Sequence, residues 1–148
     1  MSEAFDDARD LYQRVILDRG RAPHHMRRLE PFDASAKGDN PMCGDRVEVR
    51  LRCEAGRVAE VAYEARGCAI SVASADLMAE AAAGRSAGEL RGLSAQFRTM
   101  VETGDCPDCS DALENLRPLS SVSAYKSRIK CATLPWDALL AALEKTES

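Results

Sequence analysis

The stretch DRVEVRLRCEAGRVAEVAYEARGC, residues 45–68, decides the fold. Val47, Val49, Leu51 and Cys53 alternate with Arg46, Glu48, Arg50 and Arg52, a period of two that predicts a strand with one apolar and one wet face. Glu54, Ala55 and Gly56 supply the turn, and Ala59, Val61, Tyr63 and Ala65 alternate again. Two such runs joined by a short glycine-containing turn predict a β-hairpin. The apolar alternation places Cys53 in the core, and the row Arg46, Arg50, Arg52 on a solvated sheet face.

Outward from the hairpin the periodicity becomes helical. Phe5, Ala8, Leu11, Tyr12, Val15 and Ile16 predict an amphipathic helix over 4–18, with Gly20 just past its end. Residues 20–42 are rich in Pro, Gly, Asp and Asn and read as irregular chain with at most a short strand near Ala34–Lys37. Ile70, Ala73, Leu77 and Ala81 predict a helix that ends near Gly84. Leu93, Phe97, Met100 and Val101 predict another, closed by Gly104. A turn at Ala112–Leu116 stops at Pro118, and 122–145 reads as helical with a break around Thr133–Pro135, so that Trp136 anchors the start of the last helix in the core. Strands grouped together with helices after them argue an α+β fold: a small antiparallel sheet with helices packed on one face.

The chain has 148 residues, 45% of them apolar and 30% charged, with a net charge of −4. This composition fits one globular domain and excludes collagen-like and wholly disordered classes. No run reaches the roughly 18 apolar residues of a membrane helix. An acidic chain gives nucleic acid no electrostatic foothold. Met1–Asp10 holds no apolar segment of the secretory kind, so a cytoplasmic, reducing setting is expected.

In that setting six cysteines point to metal or chemistry before disulfides. Three lie at junctions of elements. Cys43 is in the turn Asn40–Asp45 ahead of the first clear strand, Cys68 follows Gly67 at the hairpin's end, and Cys131 lies near the expected helix break. A hairpin returns Cys43 and Cys68 to one edge of the sheet, and Asp45, two residues from Cys43, shares its face in extended chain. Three thiolates and a carboxylate are a donor set that zinc accepts, and thiolate-rich sites also suit iron–sulfur clusters. Arg128 and Lys130 beside Cys131 can offset the excess negative charge, and a helix N-terminus favours a Cys68 thiolate. Cys106 and Cys109 form a C-x₂-C pair after a helix and Gly104, which is neither the context of a thioredoxin-like motif nor, without a second pair, a zinc ribbon. They read as an exposed dithiol in a loop, with a dithiol oxidoreductase or a separate metal site as alternatives. His24 and His25 read as a solvated loop pair.

Asn-Pro-Met-Cys-Gly-Asp (40–45), Gly-Cys-Ala-Ile-Ser (67–71) and Lys-Cys-Ala-Thr-Leu-Pro-Trp (130–136) resemble the three cysteine motifs of the NifU/IscU-type iron–sulfur assembly proteins, closest to the SufU branch. The resemblance runs from Leu11–Asp18 to the last helix. It implies a three-stranded sheet with helices packed on one side, in a single NifU N-terminal-like domain over 1–148. It also implies that Cys43, Asp45, Cys68 and Cys131 hold the metal, Zn²⁺ or alternatively an Fe–S cluster. Cys43 is implied as the acceptor of sulfane sulfur from a SufS-type cysteine desulfurase, with a downstream Fe–S scaffold or carrier receiving it. Lys130 stands where the IscU branch has histidine, and Tyr125–Ile129 replaces that branch's chaperone-docking stretch. The 62 residues between Cys68 and Cys131 leave room for an insertion at about 85–105, as in the SufU branch. The family's motifs after the first helix are altered here, at Asp18-Arg19-Gly20 and Ala22-Pro23-His24.

Overall fold

The computed structural model describes residues 14, 16–41, 44–107 and 109–146. Most of the helix expected over 4–18, and Cys43 itself, lie outside the described residues. What is described of that helix continues to residue 21, past Gly20. An alanine Cβ at position 20 would stand 2.8 Å from the Cβ of Ala69, so glycine lets this segment lie against the start of the next helix.

Strands β1 (Ala34–Asn40), β2 (Asp45–Glu54) and β3 (Arg57–Arg66) form an antiparallel sheet in the order β1-β2-β3. The expected hairpin is β2–β3, and Ala55 and Gly56 turn it with φ of 53° and 78°. Positive φ at both central residues gives the turn the twist the strands need. Val47, Val49 and Leu51 are buried on one face with Val61 and Tyr63 of β3. Cys53 is only half-buried, because the register slips between Arg52 and Cys53 and the strand leaves the core there. β1 is longer than the short strand expected at Ala34–Lys37. Its inward residues Ala34, Ala36 and Gly38 are small and carry a weak apolar signal, yet small is what the site needs: a Cβ at Gly38 would meet Leu134 Cδ1 at 2.9 Å.

Three α-helices follow: α1 (Ala69–Ala82), α2 (Ala87–Thr103) and α3 (Lys126–Thr146), with a 3-10 segment, Asp111–Ala124, between α2 and α3. Ser86 and Glu89 close a reciprocal capping box at the start of α2, and Gly104 ends it in the left-handed region. α1 and α3 pack on the sheet, and α2, in the place expected for the insertion, packs on α3 through Phe97 stacked on Trp136 with ring centroids 4.9 Å apart.

Two stops expected at prolines do not occur. The 3-10 segment runs through Pro118, where i→i+3 bonding and buried Leu113, Leu116, Leu119 and Val122 carry it on. α3 runs through Pro135, so Cys131 and Trp136 lie within the helix rather than beside a break. Burial of Cys131, Ala132, Thr133, Pro135 and Trp136 outweighs the rung that proline removes, and Ser74 Oγ of α1 donates to the Ala132 carbonyl at 2.6 Å, bracing that turn.

The outer sheet face is less solvated than the arginine row suggests. Segment 24–32 lies against part of it. Arg50 donates to the Leu29 carbonyl at 3.1 Å and stacks over Phe32, while Arg52 pairs with Glu54 and Glu60.

Candidate metal centre

The site stands where the hairpin's open end meets the first turn of α1 and the second turn of α3. Asp45 opens β2 and is fully buried. Its Oδ1 accepts the backbone N–H of Cys68 at 2.8 Å, and its Oδ2 lies 3.7 Å from Cys68 Sγ. That approach requires Gly67. Its φ is +145°, and a Cβ there would stand 2.1 Å from Asp45 Oδ1 and 2.9 Å from Asp45 Cα. The glycine therefore does more than turn the chain, since it leaves the volume that the carboxylate fills.

Cys68 is the N-cap residue of α1, extended at φ −70° and ψ 162°, and its side chain makes no capping bond. The thiol points instead at Asp45 and Cys131. One carboxylate oxygen of Asp45 and the sulfurs of Cys68 and Cys131 all lie within 4.8 Å of one another. Cys131 and Asp45 are buried and Cys68 is half-buried, so the cluster opens to solvent on the Cys68 side. Gly44, at φ +75°, leads into Asp45, and Cys43, which precedes it in the sequence, lies outside the described residues.

Arg128 lies one helical turn before Cys131. Its guanidinium hydrogen-bonds the Cys131 sulfur and faces Cys68, and these contacts hold its pKa above the ordinary arginine value. Lys130 is exposed. The i, i+3 spacing separates the two basic residues, because only the residue a full turn away shares the cysteine's face. Arg128, Tyr125, Ile16, Ala69, Ile70 and Cys68 border a cleft of about 350 Å³ beside the cluster.

A buried acid in the middle of α1 is a further finding. Asp76 is fully buried, accepts from Arg19 at 2.8 Å, from the backbone N–H groups of His24 and His25 at 3.1 and 2.7 Å, and from the Tyr63 hydroxyl at 2.9 Å. Burial pushes its pKa up, but the Arg19 bond and the other donors outweigh that and leave it lower than usual. The same burial, with the Asp76 charge, pushes the Tyr63 phenol far up. The loop pair His24–His25 is thus pinned through its backbone, with His24 exposed and His25 half-buried. The signal in the sequence was an acid flanked by Ala73, Ala75 and Leu77 in a helix whose other acid, Glu80, is exposed.

Cys106 and Cys109 are joined in a disulfide, and Cys106 is 6% exposed. This corrects the expectation of an exposed dithiol: the pair packs against the core where α2 passes into the 3-10 segment. Cys53, Cys68 and Cys131 are outside any disulfide.

A three-stranded antiparallel sheet whose Asp45 carboxylate meets the sulfurs of Cys68, at the start of α1, and Cys131, within α3, defines a protein with a thiolate-rich, metal-capable centre. The chain belongs to the family of NifU-like N-terminal domains, whose model matches residues 11–132, and so to the iron–sulfur cluster assembly proteins of the IscU and SufU type. It is 34% identical over 137 residues to the zinc-dependent sulfurtransferase SufU of Bacillus subtilis, covering 93% of this chain and 92% of that one. It is 32% identical over 136 residues to the iron–sulfur cluster assembly scaffold protein IscU of Streptococcus pyogenes, covering 92% and 84%. The crystal structure of a nitrogen-fixing NifU-like protein, N-terminal part, from Brucella abortus superposes with a TM-score of 0.83 at 28% identity, covering 93% and 95%. The three-stranded antiparallel sheet with helices against it and the family agree with the expectation from the sequence, while the helix stops expected at Pro118 and Pro135 do not. Among the described residues no helix is long and apolar enough to cross a membrane.

Proposed function

We propose that this chain is a zinc-bound sulfur acceptor of iron–sulfur assembly that works in the cytoplasm. On this reading Cys43 takes sulfane sulfur from a SufS-type cysteine desulfurase and passes it to a downstream scaffold or carrier. The observation that supports it is the convergence of Asp45, Cys68 and Cys131. Two soft sulfurs and one hard oxygen, with a third cysteine two residues from Asp45, fit a tetrahedral zinc donor set. Zinc, when bound by Cys43, Asp45, Cys68 and Cys131, would keep the thiols deprotonated at neutral pH.

The chain's own groups divide the remaining work. Arg128 supplies positive charge against an excess of anionic ligands. Gly67 and the Cys68 N–H orient the Asp45 carboxylate, which leaves its second oxygen toward the cluster. Cys43 lies in the sequence between β1 and Gly44, and Gly44, at φ +75°, lets the backbone change direction ahead of β2. In the transfer step the Cys43 thiolate attacks the outer sulfur of the desulfurase persulfide. A new S–S bond forms on Cys43, and the desulfurase cysteine leaves as a thiolate. The half-open Cys68 side and the adjoining cleft give the partner an approach.

The reading is tested by mixing the protein with its desulfurase and cysteine and locating sulfane sulfur by mass spectrometry. The expected result is a persulfide on Cys43 and none after Cys43→Ala. A folded Cys43→Ala variant that still accepts sulfur refutes it. The likeness to IscU scaffolds favours a second reading, a [2Fe–2S] cluster built on the same residues with Asp45 as a labile oxygen donor. Zinc in anaerobically purified protein supports the first reading; iron with labile sulfide supports the second.

A further inference from the structure

The Cys106–Cys109 disulfide stands apart from the Asp45–Cys68–Cys131 cluster and has no part in the function proposed above. It closes a ring of only four residues, and the chain entropy a cross-link removes grows with the length of the ring, so this one stabilises less than a long-range bridge would. The junction is held by other bonds as well. Gly104 N–H reaches the Met100 carbonyl, Gln96 Oε1 accepts the Ser110 N–H at 2.9 Å, and Ser110 Oγ caps the 3-10 segment.

The two sulfurs differ in access. Cys106 is buried, while Cys109 is half-buried beside the N-cap of the 3-10 segment. Cys109 Sγ lies 3.8 Å from the Gln96 carbonyl oxygen, an acceptor that a thiol can use and a disulfide sulfur cannot. The surroundings are thus furnished for the reduced pair too. A cleft of about 310 Å³ bordered by Ala95, Gln96, Thr99, Cys106 and Pro107 opens on the Cys106 side of the pair.

We propose that Cys106 and Cys109 form a second sulfur centre, a dithiol that reduces the sulfane sulfur of a persulfide to sulfide and closes the disulfide seen here. The choice of a persulfide as substrate rests on the sulfur-handling function proposed above. Cys109, the more accessible, attacks the outer sulfur. The persulfide S–S bond breaks, its electron pair leaves with the carrier thiolate, and the sulfur stays on Cys109. Cys106 then attacks the Cys109 sulfur, the Cys106–Cys109 bond forms, and the outer sulfur departs as hydrosulfide. The sulfane atom gains two electrons, the dithiol loses two, and the two thiol protons end on the carrier thiol and the hydrosulfide. An external dithiol restores the reduced pair by exchange.

The test uses full-length, zinc-loaded protein, reduced and desalted. One arm offers glutathione persulfide, and the other offers persulfide-charged desulfurase, so that small-molecule and protein sources are told apart. Sulfide is quantified, and the Cys106–Cys109 disulfide is mapped after differential alkylation. In at least one arm one sulfide appears per disulfide formed, at a rate about tenfold or more above a Cys106→Ala/Cys109→Ala variant. Cys106→Ala alone holds the extra sulfur on Cys109 and releases little sulfide. Sulfide release in both arms no faster than in the double variant, or release without formation of the disulfide, overturns the proposal. The wild-type stoichiometry stands whether or not the variants fold. Sulfane sulfur mapped on Cys43 in the desulfurase arm is read separately from disulfide formation at Cys106–Cys109, which separates failure here from failure of the Cys43 reading.

Discussion

Gly67→Ala probes the site through one methyl group. The added Cβ would fall 2.1 Å from Asp45 Oδ1, 2.8 Å from Cγ and 2.9 Å from Cα. The last contact is with backbone, so rotation of the carboxylate alone does not relieve it. Two costs follow. A non-glycine residue at this positive φ loses about 1–3 kcal/mol. Displacing the Asp45 carboxylate breaks a charge-assisted bond to the Cys68 N–H, which contributes about 1.5–3 kcal/mol. Together they lower stability by about 2.5–6 kcal/mol, and at roughly 2–4 °C per kcal/mol for a domain near this size the melting temperature falls by about 5–24 °C. Zinc affinity, read by competition with a chromophoric chelator, falls by about 100-fold or more, because the oxygen donor and the Cys68 backbone move together. Gly88→Ala is the control: it lies in α2 with nothing within 4 Å of its Cβ, and alanine there is neutral or stabilising by up to about 1 kcal/mol. A Gly67→Ala protein that melts within a degree of wild type and binds zinc equally well would refute the packing argument.

Arg128→Gln keeps the fold and weakens zinc binding by about tenfold, while Lys130→Gln leaves it unchanged, as measured by the same competition. Asp76→Ala costs about 3–4 kcal/mol in urea unfolding, since Arg19 and two backbone N–H groups lose a buried acceptor. The depressed Asp76 pKa gives a sign: its stabilisation is complete above the unfolded carboxylate value of about 3.9 and is lost as pH falls through the lower folded value. Wild type therefore loses stability steeply below about pH 4, and the variant shows a shallower acid limb. Trp136→Ala lowers stability by about 3–5 kcal/mol through lost stacking on Phe97 and a cavity, with zinc stoichiometry per folded protein unchanged.

How far the sequence could be read depended on which side chains carry a pattern. The β2–β3 hairpin was legible because Val47, Val49 and Leu51 alternate with charge, and that alternation is the same fact as having one buried face. β1 was legible only in part, because its inward residues Ala34, Ala36 and Gly38 are small, Gly38 to fit beneath Leu134, and smallness is not a hydrophobic signal. The prolines misled. Pro118 and Pro135 oppose helix locally, but a 3-10 ladder and burial against α1 and the sheet decide their outcome from afar. At the site, three of the four expected ligands could be placed by following the hairpin's ends, and the structure brings Asp45, Cys68 and Cys131 together. Arg128 could be told from Lys130 by helical spacing. The volume role of Gly67 could not be read, because it depends on where Asp45 lies across the strand pair. The four donors to Asp76 come from separate parts of the chain, and no local pattern announces them.

The proposed function requires sulfurs distant in the sequence and one carboxylate to hold a single zinc ion. Zinc K-edge X-ray absorption on the protein as isolated tests it most directly. The expected shell has about three sulfurs near 2.3 Å and one oxygen at about 2.0–2.2 Å, with one sulfur lost on Cys131→Ala. An unchanged sulfur count in Cys131→Ala, or a shell dominated by nitrogen and oxygen, would contradict it.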